Sequence, residues 1–196
     1  MITASIIIPT IRKETDIVGL IKEIQDTATC SQNLFVASSD GSAAHNRNVG
    51  LDNSMDSDFI IMCDDDIEQL PKHWDKRLID ALEETKGSIV GARLFNPDGK
   101  IQPVCYGNYD LLKDFVETKS MITSLCAFRN SILRFDENFI GWGWEDTDFC
   151  KQLGGKSFVI NTVRVVHRNE HKNPLGSKEQ EHTNRDYFLN KWRDQK

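Results

Sequence analysis

Apolar and polar residues fall along this chain in blocks whose period changes from one block to the next. Ala4–Pro9 is an unbroken apolar run rich in isoleucine, the pattern of a central parallel strand covered on both faces. Apolar residues then recur at helical spacing, at Ile17, Leu20, Ile21, Ile24 and Ala28, with Thr15 or Asp16 placed to cap the helix. Leu34–Ala37 reads as a second strand, "SSDGS" (38–42) as a loop of turn residues, and Ala43 to Asn53 as a helix. Phe59–Cys63 is a third apolar strand. Pro71 suits a first helical turn, with Trp74, Leu78 and Leu82 on one face and Gly87 as the stop. Ser88–Leu94 is a fourth strand, "NPDG" (96–99) a turn into a strand near Ile101–Tyr106, and Met121–Arg129 a further strand.

Strand–helix–strand alternation fills the first half, and the second half is more irregular. That predicts an α/β protein with a mostly parallel mixed sheet flanked by helices. A single domain is expected over residues 1–171. The tail, 172–196, is expected to be partly helical around Glu179–Trp192, with Tyr187, Phe188 and Trp192 to dock it on the same domain, a partner being the alternative. The length, 196 residues with 39% hydrophobic and 28% charged, suits one sizeable core. No apolar run approaches the ~20 residues of a membrane span. The start "MITASIIIPT" has no basic segment and reads as a first strand, and the end has no lipidation motif. The five cysteines, Cys30, Cys63, Cys105, Cys126 and Cys150, lack CxxC pairing and read as reduced, mostly buried thiols of a cytoplasmic protein. The net charge of −6 argues against broad nucleic-acid binding, and only the stretch from Arg164 onward is locally basic.

Ligands of such sheets bind beyond the carboxyl ends of the strands. The loops after Pro9, Ala37 and Cys63 should therefore gather at one edge, bringing Thr10, Arg12, Asp40 and the three acids of "FIIMCDDDIE" together. Asp64, Asp65 and Asp66 repel one another when packed without a cation. They suit a hard divalent ion; a solvated turn or a helix N-terminus is the alternative. A second acidic group follows two glycines and two tryptophans in "FDENFIGWGWEDTDF" (135–149). Its carboxylates suit a general base, or simply the first turn of a helix starting near Glu145. His167 closes the alternating strand of "VRVVHRNEH" (163–171) and is either a surface or core histidine or an imidazole ligand. An imidazole with carboxylates suits manganese better than magnesium.

The order of "SIIIPT", "SSDGS", "NRNVGL", "FIIMCDDDIE", "FDENFIGWGWEDTDF" and "VVH" resembles inverting glycosyltransferases of the GT-A fold, with the large family 2 as its pattern. "GWGWED" with a following histidine is also similar to the C-terminal part of β-1,4-galactosyltransferases. The likeness runs from about Ala4 to His167. It implies a nucleotide-diphospho-sugar transferase fold. It also implies roles for residues that match the family's motifs. Asp66 and His167 would hold Mn2+ or Mg2+, with His171 as the fallback for the imidazole. Asp64 would touch the ribose, and Asp65 could take either aspartate's role. Pro9, Thr10, Arg12 and Asp40 would meet the nucleotide, and Arg47 the diphosphate. Asp146 would be the general base and Glu145 would help hold the acceptor, while Trp142 would lie on a mobile glycine-rich loop over the donor. The family often has glycine where Trp144 stands, so the acceptor pocket is expected to be narrower or more aromatic. The chain is short for the family and looks like a minimal soluble catalytic domain.

The activity so implied is transfer of a sugar, from a UDP-sugar by preference, to an acceptor hydroxyl with inversion. The acceptor is a glycan or another hydroxyl-bearing molecule, with a modified DNA base as a remoter option. Two other readings stand beside it: a metal-dependent nucleotidyltransferase or phosphohydrolase, and an inactive sugar-nucleotide-binding module. No GxxxxGK[ST] phosphate loop occurs in the chain.

Overall fold

A computed structural model describes residues 3–103, 110–141, 143–168 and 178–193. The isoleucine run forms β1 (Ala4–Thr10), and its Ile6, Ile7 and Ile8 are buried on both faces, as expected of an inner strand. A 3-10 turn (Glu14–Asp16) leads into α1 (Val18–Thr27). Neither Thr15 nor Asp16 caps that helix. Ile17 occupies the cap position without a side-chain capping bond, and its N–H donates to Glu14 O at 3.1 Å, closing the 3-10 turn. β2 (Ser31–Ser38) and α2 (Ala43–Asp52) come next, and here the cap is a side chain: Ser42 Oγ accepts from the His45 N–H at 3.2 Å.

The apolar run before the aspartates is β3 (Phe59–Cys63), buried throughout. The residues after them do not lead straight into a helix. Ile67–Glu68 form a short strand, β4, and α3 (Trp74–Thr85) begins three residues beyond Pro71. Gly87 is not the stop of α3 either. Lys86 takes the left-handed turn at φ 51°, while a Cβ on Gly87 would meet Phe158 at 2.9 Å, so this glycine serves close packing. β5 (Ile89–Phe95) is the expected fourth strand. Past the "NPDG" turn only a bridge between Phe95 and Ile101 forms, and residues 104–109 lie outside the described ones. β6 (Phe115–Thr118) has no counterpart in the sequence pattern, being short and only half apolar. β7 (Leu125–Arg129) begins four residues later than expected, because Thr123 turns to Asp146 and the Ser124 carbonyl accepts from the Asp64 N–H. α4 (Glu145–Leu153), β8 (Ser157–His167) and α5 (Lys178–Lys191) complete the chain.

The sheet has the order β2-β1-β3-β7-β5-β8-β4, with β6 beside the first half of β8. Strands β1, β2, β3, β5 and β8 run one way, and β4, β6 and β7 run against them. Between β5 and β8 the register advances from Ala92↔Ile160 to Arg93↔Arg164, so β8 carries extra residues at this point. Such an insertion bends the strand and re-aims its far end. Asn161 in this bulge is buried. It donates to Asp110 O and Lys113 O and accepts from Arg93 Nε at 2.8 Å. Beyond the bulge, His167 pairs with Ile67 of β4, which brings the end of β8 to the aspartate turn. Among the described residues no helix is long and apolar enough to cross a membrane.

Helix α2 packs on β1 and β2 at the sheet's acidic end. Its approach depends on Gly50, where an added Cβ would stand 2.2 Å from Ile7 Cγ2. Ile7 is fully buried and β-branched, so it has nowhere to turn. Gly50→Ala should cost about 1–3 kcal/mol, the range for overpacking a tight core. It should lower the urea midpoint without changing the slope of the transition.

Candidate active site

Three loops meet where the parallel strands β1, β2 and β3 end. Asn46 of α2 ties two of them: its Nδ2 donates to Thr10 O at 3.0 Å and to Ser39 O at 3.3 Å. The third joins through Asp65, whose Oδ2 accepts from Thr10 Oγ1 and lies 3.7 Å from Arg12 Nε. Pro9 is half-buried at the end of β1, and Arg12 N donates to Thr10 Oγ1 at 2.9 Å. Asp40 lies exposed in the loop after β2. Asp65 thus belongs to the β1 loop, and its two neighbours turn elsewhere.

Asp64, Asp66 and His167 bring ligand atoms within 4.8 Å of one another. Asp64, which the resemblance assigned to the ribose, therefore stands with the proposed metal ligands. His167 is nearly buried. Its Nδ1 lies 2.7 Å from Gln102 Oε1, an oxygen that only accepts, so Nδ1 carries the hydrogen. That leaves Nε2 facing Asp66 Oδ1 at 3.1 Å. A lone pair against a carboxylate oxygen is repulsive, so the contact requires a proton or a cation between the two groups. Burial alone would hold the imidazole neutral. Asp66, with Asp64 and Asp146 beyond it, outweighs burial and raises the His167 pKa above its ordinary value. A histidine oriented by a second hydrogen bond, converging with two carboxylates, is a fitting donor set for a divalent ion. His171 lies outside the described residues.

Arg47 joins this cluster to the second acidic group. Its Nη2 is 3.5 Å from Asp64 Oδ1, and its Nη1 is 3.1 Å from Glu145 Oε1 and 3.3 Å from Asp146 Oδ1. The guanidinium is buried and lies over the Phe135 ring, 5.2 Å from its centroid. Burial works against its charge, but Asp146, Asp64 and Glu145 hold it protonated more firmly than water would. The two acids of the pair differ. Glu145 is 4% exposed, its Oε2 has no hydrogen-bond partner among the described residues, and burial together with Asp146 pushes its carboxyl up to about 7. Asp146 is more open, and its Oδ1 accepts from Thr123 Oγ1 at 2.5 Å. Glu145, expected to hold an acceptor, is instead packed inside against Arg47. Trp142 lies outside the described residues.

Sequence reasoning missed Asn46, Asn48, Gln102 and Thr123. Asn48 accepts from the Phe135 N–H and donates to Phe135 O and Glu137 Oε1, fixing the start of the 135–148 segment to α2. The available signal was that "NRN" puts three polar residues on a helix packed against apolar strands. Gln102 and Thr123 had no local signal. Beside the Asp65 face lies a cleft of about 520 Å3, lined by Arg12, Leu20, Glu23, Asp65, Asp66 and Arg168 among others. At the site as a whole, among the described residues, five carboxylates (Asp64, Asp65, Asp66, Glu145, Asp146) meet two guanidiniums (Arg12, Arg47). That imbalance favours binding a cation.

No family model matches the chain, and no curated protein matches it in sequence. In structure it is similar to GalNAc-T7, solved with UDP, GalNAc and Mn2+, with a TM-score of 0.66 at 14% identity over 98% of this chain and 48% of that one. It is similar to TarS of S. aureus, with a TM-score of 0.61 at 15% identity over 98% of this chain and 44% of that one. It is also similar to A197 from STIV, with a TM-score of 0.59 at 15% identity over 85% of each chain. The fold is GT-A, as the sequence resemblance implied. The chain spans about half the length of GalNAc-T7 and of TarS, and at these identities the likeness is one of fold.

The Glu145 carboxyl sets a pH dependence. In the unfolded chain it releases its proton near its ordinary value of 4.5, while in the folded chain it keeps it to about 7. The folded state therefore binds more protons in that window, and this group's contribution to stability is lost as pH rises from about 4.5 to 7. Urea midpoints measured across that window without divalent cations should show a falling contribution in the wild type. The difference should shift in favour of Glu145→Gln as pH rises.

Proposed function

We propose that this protein is a metal-dependent glycosyltransferase that moves a sugar from a nucleotide diphosphate sugar, by preference a UDP-sugar, to an acceptor hydroxyl with inversion. One observation carries the reading: a cation-type cluster, Asp64–Asp66–His167, is joined through the buried guanidinium of Arg47 to a more open carboxylate, Asp146. The GT-A fold supports it, and so does the position of the cluster, since Asp64 and Asp66 follow β3 and His167 ends β8.

Asp64, Asp66 and His167 would hold Mn2+ or Mg2+. The ion would supply charge neutralisation for the leaving diphosphate. The nucleotide would lie along the ends of β1, β2 and β3, where Pro9, Thr10, Arg12, Asp40 and Asp65 are gathered. The adjoining cleft has the size of a small-molecule site. Asp146 takes the proton of the acceptor hydroxyl as that oxygen attacks the anomeric carbon, and the bond from that carbon to the diphosphate breaks with its electron pair leaving on the diphosphate. Thr123 and Arg47 hold the carboxylate in place for this step. Glu145 acts at one remove, through Arg47. The acceptor in this reading is a glycan hydroxyl. The chain forms one catalytic domain, with α5 packed on it.

Thermal stabilisation by a panel of nucleotide sugars, each with and without manganese, tests the donor site. A manganese-dependent rise with one diphosphate sugar is expected, and Asp66→Asn and His167→Ala should each abolish it. Asp146→Asn should keep that rise and lose about 10²–10⁴-fold in turnover, the usual worth of a general base. Near-normal turnover by Asp146→Asn would remove it from this role. Cleavage of the nucleotide with no sugar reaching any acceptor would turn the reading to phosphohydrolase chemistry.

A further inference from the structure

The C-terminal helix α5 has little apolar surface of its own, yet polar groups fasten it along the segment that delivers Asp146. Asn184 is 1% exposed, and its partners are backbone atoms of the glycine turn. Its Oδ1 accepts from the Ile140 N–H at 3.2 Å, and its Nδ2 donates to Ile140 O and Gly143 O, each at 3.0 Å. Further along, Tyr187 Oη donates to Asp136 at 2.9 Å. Lys191 Nζ donates to Asp136 at 2.6 Å and to the fully buried Asp148 at 2.9 Å, and Trp192 Nε1 donates to Asp148 at 2.7 Å. Phe188 lies against Trp144, ring centroids 5.3 Å apart.

The backbone held this way is strained. Gly141 and Gly143 have φ of 70° and 94°, which glycine tolerates, but Trp144 has φ of 74°, which a residue with a bulky side chain seldom adopts. Trp144 is also the cap residue of α4 and makes no side-chain capping bond. Glu145 and Asp146 come directly after it. Such a conformation persists only where its surroundings over-determine it, and here the fixing contacts come from α5, a helix far along the chain.

We propose that α5 is a splint for the turn ahead of α4, and that Asn184 is a positioning residue for Asp146. Asn184 touches no substrate in this arrangement. It sets the height and angle at which α4 begins, and so where the Asp146 carboxylate stands. The catalytic half of the statement rests on the transferase reading above, and the structural half does not.

The test uses the full chain with Asn184→Ala and Asn184→Asp. The aspartate is nearly isosteric and keeps an acceptor for the Ile140 N–H, but it lacks the Nδ2 hydrogens that reach two carbonyls. Amide hydrogen exchange, read well below the melting temperature of each variant, should quicken about tenfold or more in the peptide spanning residues 139–147 in both variants, and should not change in β1 and β3. Turnover should fall by about tenfold or more in both, while the manganese-dependent Kd for the nucleotide stays the same. Unchanged exchange in that peptide, a rise spread evenly over the protein, or an Asp variant indistinguishable from wild type would overturn the splint. Faster local exchange with unaltered turnover would overturn the positioning role. A wild-type protein that transfers no sugar from any donor would sink the transferase reading and with it the catalytic role of Asn184, and the exchange comparison would still decide the splint.

Discussion

The acidic end of this sheet depends on the guanidinium of Arg47. It is buried, stacked over Phe135, and within 3.5 Å of carboxylate oxygens from Asp64, Glu145 and Asp146. Those acids come from the end of β3 and the start of α4, segments about eighty residues apart in sequence. Without a cation between them the two acidic groups would repel across a site of low dielectric. Removing one partner of such a buried cluster leaves charges uncompensated, a loss of about 3–5 kcal/mol in comparable pairs. Arg47 is in turn held by where α2 sits, and that is decided by Gly50 against Ile7 and by the asparagines on either side of Arg47.

The same economy of contacts explains how the aspartate turn divides its labour. The chain turns at Asp65 and Asp66, with the Ile67 N–H donating to Asp64 O at 3.3 Å, and Asp65 faces Thr10 and Arg12, while Asp64 and Asp66 converge on His167. His167 reaches them because β8 carries extra residues after Ile160 and then pairs with β4. Two guanidiniums against five carboxylates leave the site short of positive charge. The pull of Asp66 on the His167 proton is one sign of that shortage, and at Glu145 it is burial first, then Asp146, that raises the carboxyl pKa. A divalent cation at Asp64, Asp66 and His167 would meet that deficit from outside.

Much of this was legible in the chain. The apolar runs at Ala4–Pro9 and Phe59–Cys63 announce inner strands because both of their faces must be covered, and the parallel arrangement comes from the helices between them. The order of motifs pointed to the fold, and the parallel topology then placed the ends of β1, β2 and β3 at one edge. The misleading signals were local: Thr15 and Asp16 have capping chemistry but lose to a 3-10 turn, and Pro71 and Gly87 mark the ends of α3 without forming them.

The fold class, the strands that carry the acids, and the kinds of groups a site could be made from follow from side-chain period and residue chemistry, which the order of amino acids carries without any folding. The tertiary structure alone decided which acids share an arginine, that Glu145 turns inward while Asp146 stays open, that Asp64 joins the histidine, and that α5 ties down the turn before α4. These are matters of distance between segments far apart in the chain, and their energies depend on burial. Neither distance nor burial is a property of any residue until the chain has closed around it.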